Sequence, residues 1–216
     1  TDASYRGSAA GRLWMQELAA HYARRHWCLT VDVDELFVYP GVEYLSLRRL
    51  CDFLEMENSE GLFCVFLDMY SDRPLGETLY TPGDDFLDVC GFFETDTYRL
   101  QPGKKPPFLD VFGGPRGASF AGDGGNVAAG PMMKKVPLVR WSEHFSYIFS
   151  THSHIHVPLS ETTGALLHFK FFHFFGDLAR HEAERGDRRQ AAHYNHYAEK
   201  ALEDTCFFSQ RSYRYT

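Results

Sequence analysis

The residues best suited to chemistry are Asp32-Val33-Asp34-Glu35, which close the apolar run Trp27-Cys28-Leu29-Thr30-Val31. In extended chain alternate residues point the same way, so Asp32 and Asp34 are expected to converge on one cation. The carboxyl end of a strand is where open α/β sheets take ligands. Hard oxygen ligands select Mg2+ or Mn2+, ions that keep open positions for phosphate oxygens. The chemistry such an ion serves is Lewis-acid stabilisation of a diphosphate leaving group. Taken alone, the same four residues also read as a solvated acidic turn.

A phosphohydrolase of the haloacid-dehalogenase type would use Asp32 as a nucleophile on the same spacing. It calls for Thr or Val two places after the second Asp, where this chain has Leu36. His168-Phe169-Lys170 is the second feature: in a strand His168 and Lys170 share a face, pairing a candidate metal ligand with a phosphate-binding cation. The alternative is a core histidine beside a lysine that runs its stem along apolar surface. His152, His154 and His156 alternate in the manner of a one-faced zinc set, but Pro158 follows and no acidic or thiolate ligand is spaced nearby. They are better read as surface or hydrogen-bonded histidines, and His193 and His196 as solvated.

These residues need elements to position them. Residues 9–25 have Leu13, Trp14, Leu18 and Tyr22 at helical spacing, predicting an amphipathic helix. Residues 27–33 predict a buried strand running straight into the acidic group. Ser46 caps a predicted helix over 46–57, and 61–70 predict another buried strand. Residues 81–130 carry ten of the 18 glycines and five of the ten prolines, which predicts a long loop region. Apolar segments at 136–141 and 145–150 follow. The tail over 174–204 reads as a helical hairpin broken at Gly186. Alternating helices and strands predict an α/β fold in a single domain over 1–216.

With 44% hydrophobic and 24% charged residues the chain has the composition of a folded globular domain, which excludes a low-complexity or disordered class. The net charge of −7 opposes general nucleic-acid binding, which needs a basic face. Five cysteines with no CxxC pair point to a reducing compartment, with no disulfide framework. No apolar stretch reaches 18 residues, so no transmembrane segment is expected. A cytoplasmic location, or one peripheral to a membrane, is the expectation.

Together the blocks 27–39, Leu67-Asp68-Met69-Tyr70-Ser71-Asp72, Gly113-Gly114-Pro115-Arg116, Lys134-Lys135-Val136-Pro137-Leu138-Val139-Arg140-Trp141, Ser150-Thr151-His152 and Ala165-Leu166-Leu167-His168-Phe169-Lys170-Phe171 resemble the glycosyltransferase family 2-like group. The resemblance implies a GT-A-like (Rossmann-like) mixed sheet flanked by helices. It implies a nucleotide-diphosphate sugar donor, a glycan or other hydroxyl acceptor, and Mn2+ or Mg2+ as cofactor. Asp32 and Asp34 match the family's metal-binding pair, Asp32 also approaching the donor. His168 falls where a C-terminal histidine ligates the metal, with Lys170 near the phosphates. Inverting transfer calls for a carboxylate base. Glu143 and Asp110 are the candidates, each also readable as an ordinary surface carboxylate. Arg116 and Arg140 are read either as anion clamps or as structural ion-pair partners. Because 31 residues precede Asp32 and the chain begins at Thr1, the expectation is a domain lacking its N-terminal, nucleotide-binding part. A non-catalytic module that recognises glycan or protein through its aromatic residues is the competing class.

Overall fold

The computed structural model describes residues 4–5, 7–104, 106–120, 130–185 and 191–216. In chain order the elements are α1 (Arg12–Tyr22), β1 (Trp27–Leu29), β2 (Glu35–Val38), α2 (Leu47–Met56), β3 (Gly61–Met69), a 3-10 turn (Leu75–Glu77), α3 (Phe86–Val89) and β4 (Phe92–Phe93). Next come β5 (Arg99–Pro102), β6 (Leu109–Phe112), α4 (Gly114–Phe120), β7 (Lys134–Arg140), β8 (Tyr147–Ser150) and β9 (Ser153–His154). The chain closes with β10 (Leu159–Phe169), α5 (Phe175–Arg185), α6 (Ala191–Lys200) and β11 (Tyr213–Arg214). The class is mixed α/β. The chain forms two compact units, Thr1–Phe66 with Leu100–Val111 and Lys134–Leu166, and Leu67–Arg99 with Phe112–Met133 and Leu167–Thr216.

The first unit is built on a five-stranded sheet in the order β1-β7-β3-β10-β2, with β7 antiparallel to both β1 and β3. Nearly every residue of β3 is buried, as expected of a central strand covered on both faces. In β10, Gly164 permits close approach: a Cβ there would lie 2.9 Å from both the Cys64 sulfur and the Val38 carbonyl oxygen. Helix α2 starts where its sequence says it should, with the Ser46 hydroxyl accepting from the Arg49 N–H. Around Trp141, a cluster of Ala19, Val139, Phe145, Tyr147 and Val157 forms one core, its aromatic rings meeting edge to face or tilted.

Three local expectations change. The predicted strand over 27–33 ends at Leu29, and Asp32, Val33 and Asp34 form a turn in which the Glu35 N–H donates to the Asp32 carbonyl at 3.1 Å. The alternation that would have aligned Asp32 with Asp34 therefore does not apply, and Val33 stands at the turn's tip, 98% exposed. Helix α1 forms, but it buries Ala19 and leaves Leu13, Leu18 and Tyr22 exposed, so its apolar stripe is not its packed face. Between residues 81 and 120 the chain forms α3, β4, the paired strands β5 and β6, and α4, where glycine and proline content predicted loop. Residues 121–129 of that region lie outside the described residues, as does the break at Gly186.

The second unit holds the paired helices α5 and α6, as the tail's periodicity predicts, with α4 packed on α6. Its core gathers Tyr70, Leu75, Phe171, Phe175, Ala179, Tyr194, Tyr197 and Ala201. The C-terminal strand β11 pairs antiparallel with β4, and Phe207 packs on Tyr70 and Phe171. Among the described residues no helix is long and apolar enough to cross a membrane.

Candidate functional site

In the first unit the acidic turn stands on a buried ion pair. Lys135 on β7 is 1% exposed, and its Nζ donates to both carboxylate oxygens of Glu35, at 2.8 and 3.1 Å. Glu35 Oε2 also accepts from the Asp32 N–H at 2.9 Å, so one carboxylate ties the turn's first residue to the sheet. The same ammonium lies 3.8 Å from Asp32 Oδ1, and the Asp32 side chain keeps about half its surface in solvent. Burial pushes the Glu35 carboxyl above its ordinary value, with the Lys135 charge pulling against it. Buried charges are tolerated only when paired and hydrogen-bonded, which explains two lysines opening an otherwise apolar strand.

Neighbouring strand residues face opposite sides, so Lys134 finds a different partner, Asp110 Oδ1 at 2.8 Å. Asp110, a candidate base, is thus held in an ion pair and mostly buried. Glu143, the other, is an exposed carboxylate bonded to Arg24 at 3.0 Å. Arg140 lies 3.9 Å from Glu55, both half exposed.

The three alternating histidines do not share a strand face. His152 Nδ1–H donates to the Lys134 carbonyl at 2.7 Å, and His154 Nδ1–H donates to the Ile155 carbonyl at 2.6 Å. His156 is exposed beside Phe108. His154 is 1% exposed, its Nε2 has no hydrogen-bond partner among the described residues, and burial pushes its imidazole below the ordinary value. His196 is half-buried on α6, and the His193 side chain lies outside the described residues.

In the second unit His168, at the end of β10, belongs to a buried network centred on Asp68, at the end of the neighbouring strand β3. Arg116 Nε donates to Asp68 Oδ2 at 2.9 Å and its Nη2 contacts Oδ1 at 2.8 Å, a two-pronged pair with no solvent access to the carboxylate. His168 Nδ1 lies 3.0 Å from Asp68 Oδ1. Burial alone would raise the Asp68 carboxyl, but the guanidinium and the imidazole bond outweigh it and hold the group at about 2. Tyr98 adds its hydroxyl oxygen, which accepts the Asp68 N–H at 3.2 Å.

The Gly113-Gly114 step makes room for this network. Gly113 has φ +119°, and a Cβ there would drive into the Thr97 carbonyl. A Cβ on Gly114 would lie 2.8 Å from the Tyr98 hydroxyl. Two glycines therefore let α4 deliver Arg116 onto Asp68. Of the two readings of Arg116, the geometry matches the ion-pair partner. Lys170 lies just past β10, half-buried.

Sequence reasoning gave no role to Glu35, Lys135, Lys134 or Asp68. The available signal was charge inside apolar runs, since such residues are seldom buried without a partner. Among the described residues, no group of three or more His, Cys, Asp or Glu side chains is placed to hold a metal ion by itself. A turn bearing two carboxylates leaves the other coordination positions of a Mg2+ or Mn2+ ion to phosphate oxygens and water, the usual division for these ions. Comparison with protein families, curated proteins and solved structures finds no match to the chain.

Proposed function

We propose that the chain is the metal-binding part of a GT-A-like glycosyltransferase, which moves a sugar from a nucleotide-diphosphate donor to a hydroxyl acceptor. The observation carrying this reading is the Asp32-Val33-Asp34 turn fixed to the sheet by the buried Glu35–Lys135 pair, with the Asp32 carboxylate turned to solvent. A merely solvated acidic turn needs no such anchor, whereas ligands must be held in place to bind a small cation. In this reading Asp32 and Asp34 hold the divalent ion, and phosphate oxygens and water complete its coordination. When bound, the ion neutralises charge on the departing diphosphate. Glu35 keeps the turn in register, and Lys135 limits repulsion between Glu35 and Asp32.

Thermal unfolding with Mn2+ and UDP tests the proposal. Mn2+ with UDP is expected to raise the melting temperature, since a ligand at 100 times its Kd adds about 2.7 kcal/mol. Asp34→Ala is expected to abolish the shift. An unchanged melting temperature in the wild type, or an equal shift in Asp34→Ala, overturns the reading. So does phosphate release from an aryl phosphate that is lost in Asp32→Asn, which would mark a phosphohydrolase.

A further inference from the structure

Beside α1 the first unit holds a pocket of about 300 Å3, lined by Gln16, Ala20, Arg24, Trp141, Glu143 and Phe145. That volume lies at the lower end of the range for small-molecule sites, with room for one six-membered ring and its substituents. Its walls are held in place by the fold. The Trp141 N–H donates to the His26 carbonyl at 2.9 Å, and the Trp141 carbonyl accepts from the Arg25 N–H at 2.8 Å. On α1, the Gln16 amide nitrogen donates to the Phe145 carbonyl at 3.3 Å, and its oxygen accepts the Tyr147 N–H at 3.0 Å. These two bonds fix which end of the amide is which, and each end keeps capacity for another bond, one N–H and one lone pair.

The chemistry of the lining selects among ligands. Arg24 and Glu143 are its charged residues, and they pair with each other at 3.0 Å, so the pocket carries no net charge. An anion would meet the Glu143 carboxylate beside the guanidinium, and a cation would meet the reverse. Trp141 and Phe145 are each 2% exposed and meet edge to face, which leaves no open ring face or parallel slot for a flat aromatic ligand. A purely apolar ligand would cover the spare Gln16 groups without replacing their bonds to water. What remains is a small neutral ring with donors and acceptors on its rim and C–H groups on its faces. We infer that this pocket binds a single pyranose, whose hydroxyls accept from Arg24 and Gln16 and donate to Glu143 and Gln16. The charged pair matches a vicinal diol, because one hydroxyl accepts a guanidinium N–H while its neighbour donates to the carboxylate. This binding needs neither metal nor nucleotide, and so goes beyond the metal-binding reading of the acidic turn.

The test titrates the full chain, in EDTA, with methyl glucoside, methyl galactoside, methyl mannoside and N-acetylglucosamine. Proton–nitrogen correlation spectra follow the Trp141 indole and Gln16 side-chain signals. At least one sugar is expected to shift both signals with a Kd of about 1 mM, the affinity open to so small a ligand on polar contacts. Ala20 is exposed on α1, where Leu is a good helix former. Ala20→Leu therefore fills the pocket without disturbing the helix, and is expected to abolish the shifts at an unchanged melting temperature. Glu143→Gln leaves Arg24 as an unpaired cation, and is expected to weaken the sugar about tenfold and to admit inorganic phosphate, which the wild type excludes. The absence of a saturable shift with any of these sugars overturns the proposal. So do shifts that persist in Ala20→Leu, or phosphate binding by the wild type that matches its sugar binding. Because EDTA removes the metal, this result is independent of the Mn2+ and UDP measurement, and failure of one reading is told apart from failure of the other.

Discussion

Replacing Lys135 by Met isolates the anchor beneath the acidic turn. The change removes two charge-assisted bonds, at 2.8 and 3.1 Å, from a Glu35 carboxylate that is 5% exposed, leaving the Asp32 N–H as its remaining donor among the described residues. Breaking one side of a buried pair costs about 3–5 kcal/mol. The protein can limit that loss by protonating Glu35, at about 1.4 kcal/mol for each pH unit above the ordinary value near 4.3. At pH 7.5 this escape costs about 4 kcal/mol, and at pH 5 about 1 kcal/mol. Urea unfolding of Lys135→Met is therefore expected to show a loss of about 3–4 kcal/mol at pH 7.5 that shrinks to about 1 kcal/mol at pH 5. The sign follows from linkage: the variant's folded state holds a proton that the unfolded chain releases, so its stability falls as pH rises above the unfolded value. Glu35→Leu combined with Lys135→Met removes both charges and is expected to return to within about 1 kcal/mol of the wild type. A loss below about 1 kcal/mol at pH 7.5, or one that is the same at both pH values, refutes the argument that a buried charge pair anchors the turn.

Three further outcomes are expected. Burial holds the His154 imidazole below its ordinary value, so below about pH 6.5 the unfolded chain binds more proton at this ring than the folded one. Stability is then present above about pH 6.5 and declines as pH falls through that value; His154→Phe, which keeps a ring against Phe145, is expected to flatten this slope in unfolding measured from pH 7 to 5. Gly113→Ala combines a φ of +119° with a clash against the Thr97 backbone, and soluble yield or circular dichroism is expected to report gross destabilisation, beyond the roughly 1 kcal/mol of an average point substitution. Ser46→Ala removes the α2 cap and is expected to cost about 1 kcal/mol in urea unfolding.

Much of the local structure was legible in the residues. Ser46 marked the start of α2, the unbroken apolar run from Gly61 marked β3, and the spacing of the tail marked α5 and α6, because caps and periodicity act over a few residues. Helix α1 shows where such patterns stop: its leucines and Tyr22 are spaced as a buried stripe, yet what packs is Ala19, a choice made by the surrounding elements. The acidic turn shows the same limit from the other side. Alternation assumed an extended chain, but the Glu35 carboxylate folds back to the Asp32 N–H, a bond that is worth making only with Lys135 beneath it.

The sequence by itself determined the mixed α/β class, the position of the acidic group after an apolar strand, and the glycine step ahead of Arg116. Tertiary structure alone decided the partners. Lys135 meets Glu35 and His168 meets Asp68 across 100 residues of chain in each case, and Arg116 reaches Asp68 across 48. No local spacing encodes those meetings. They arise because desolvated charges must find opposite charges, and only the packed sheet and helices determine which ones are within reach.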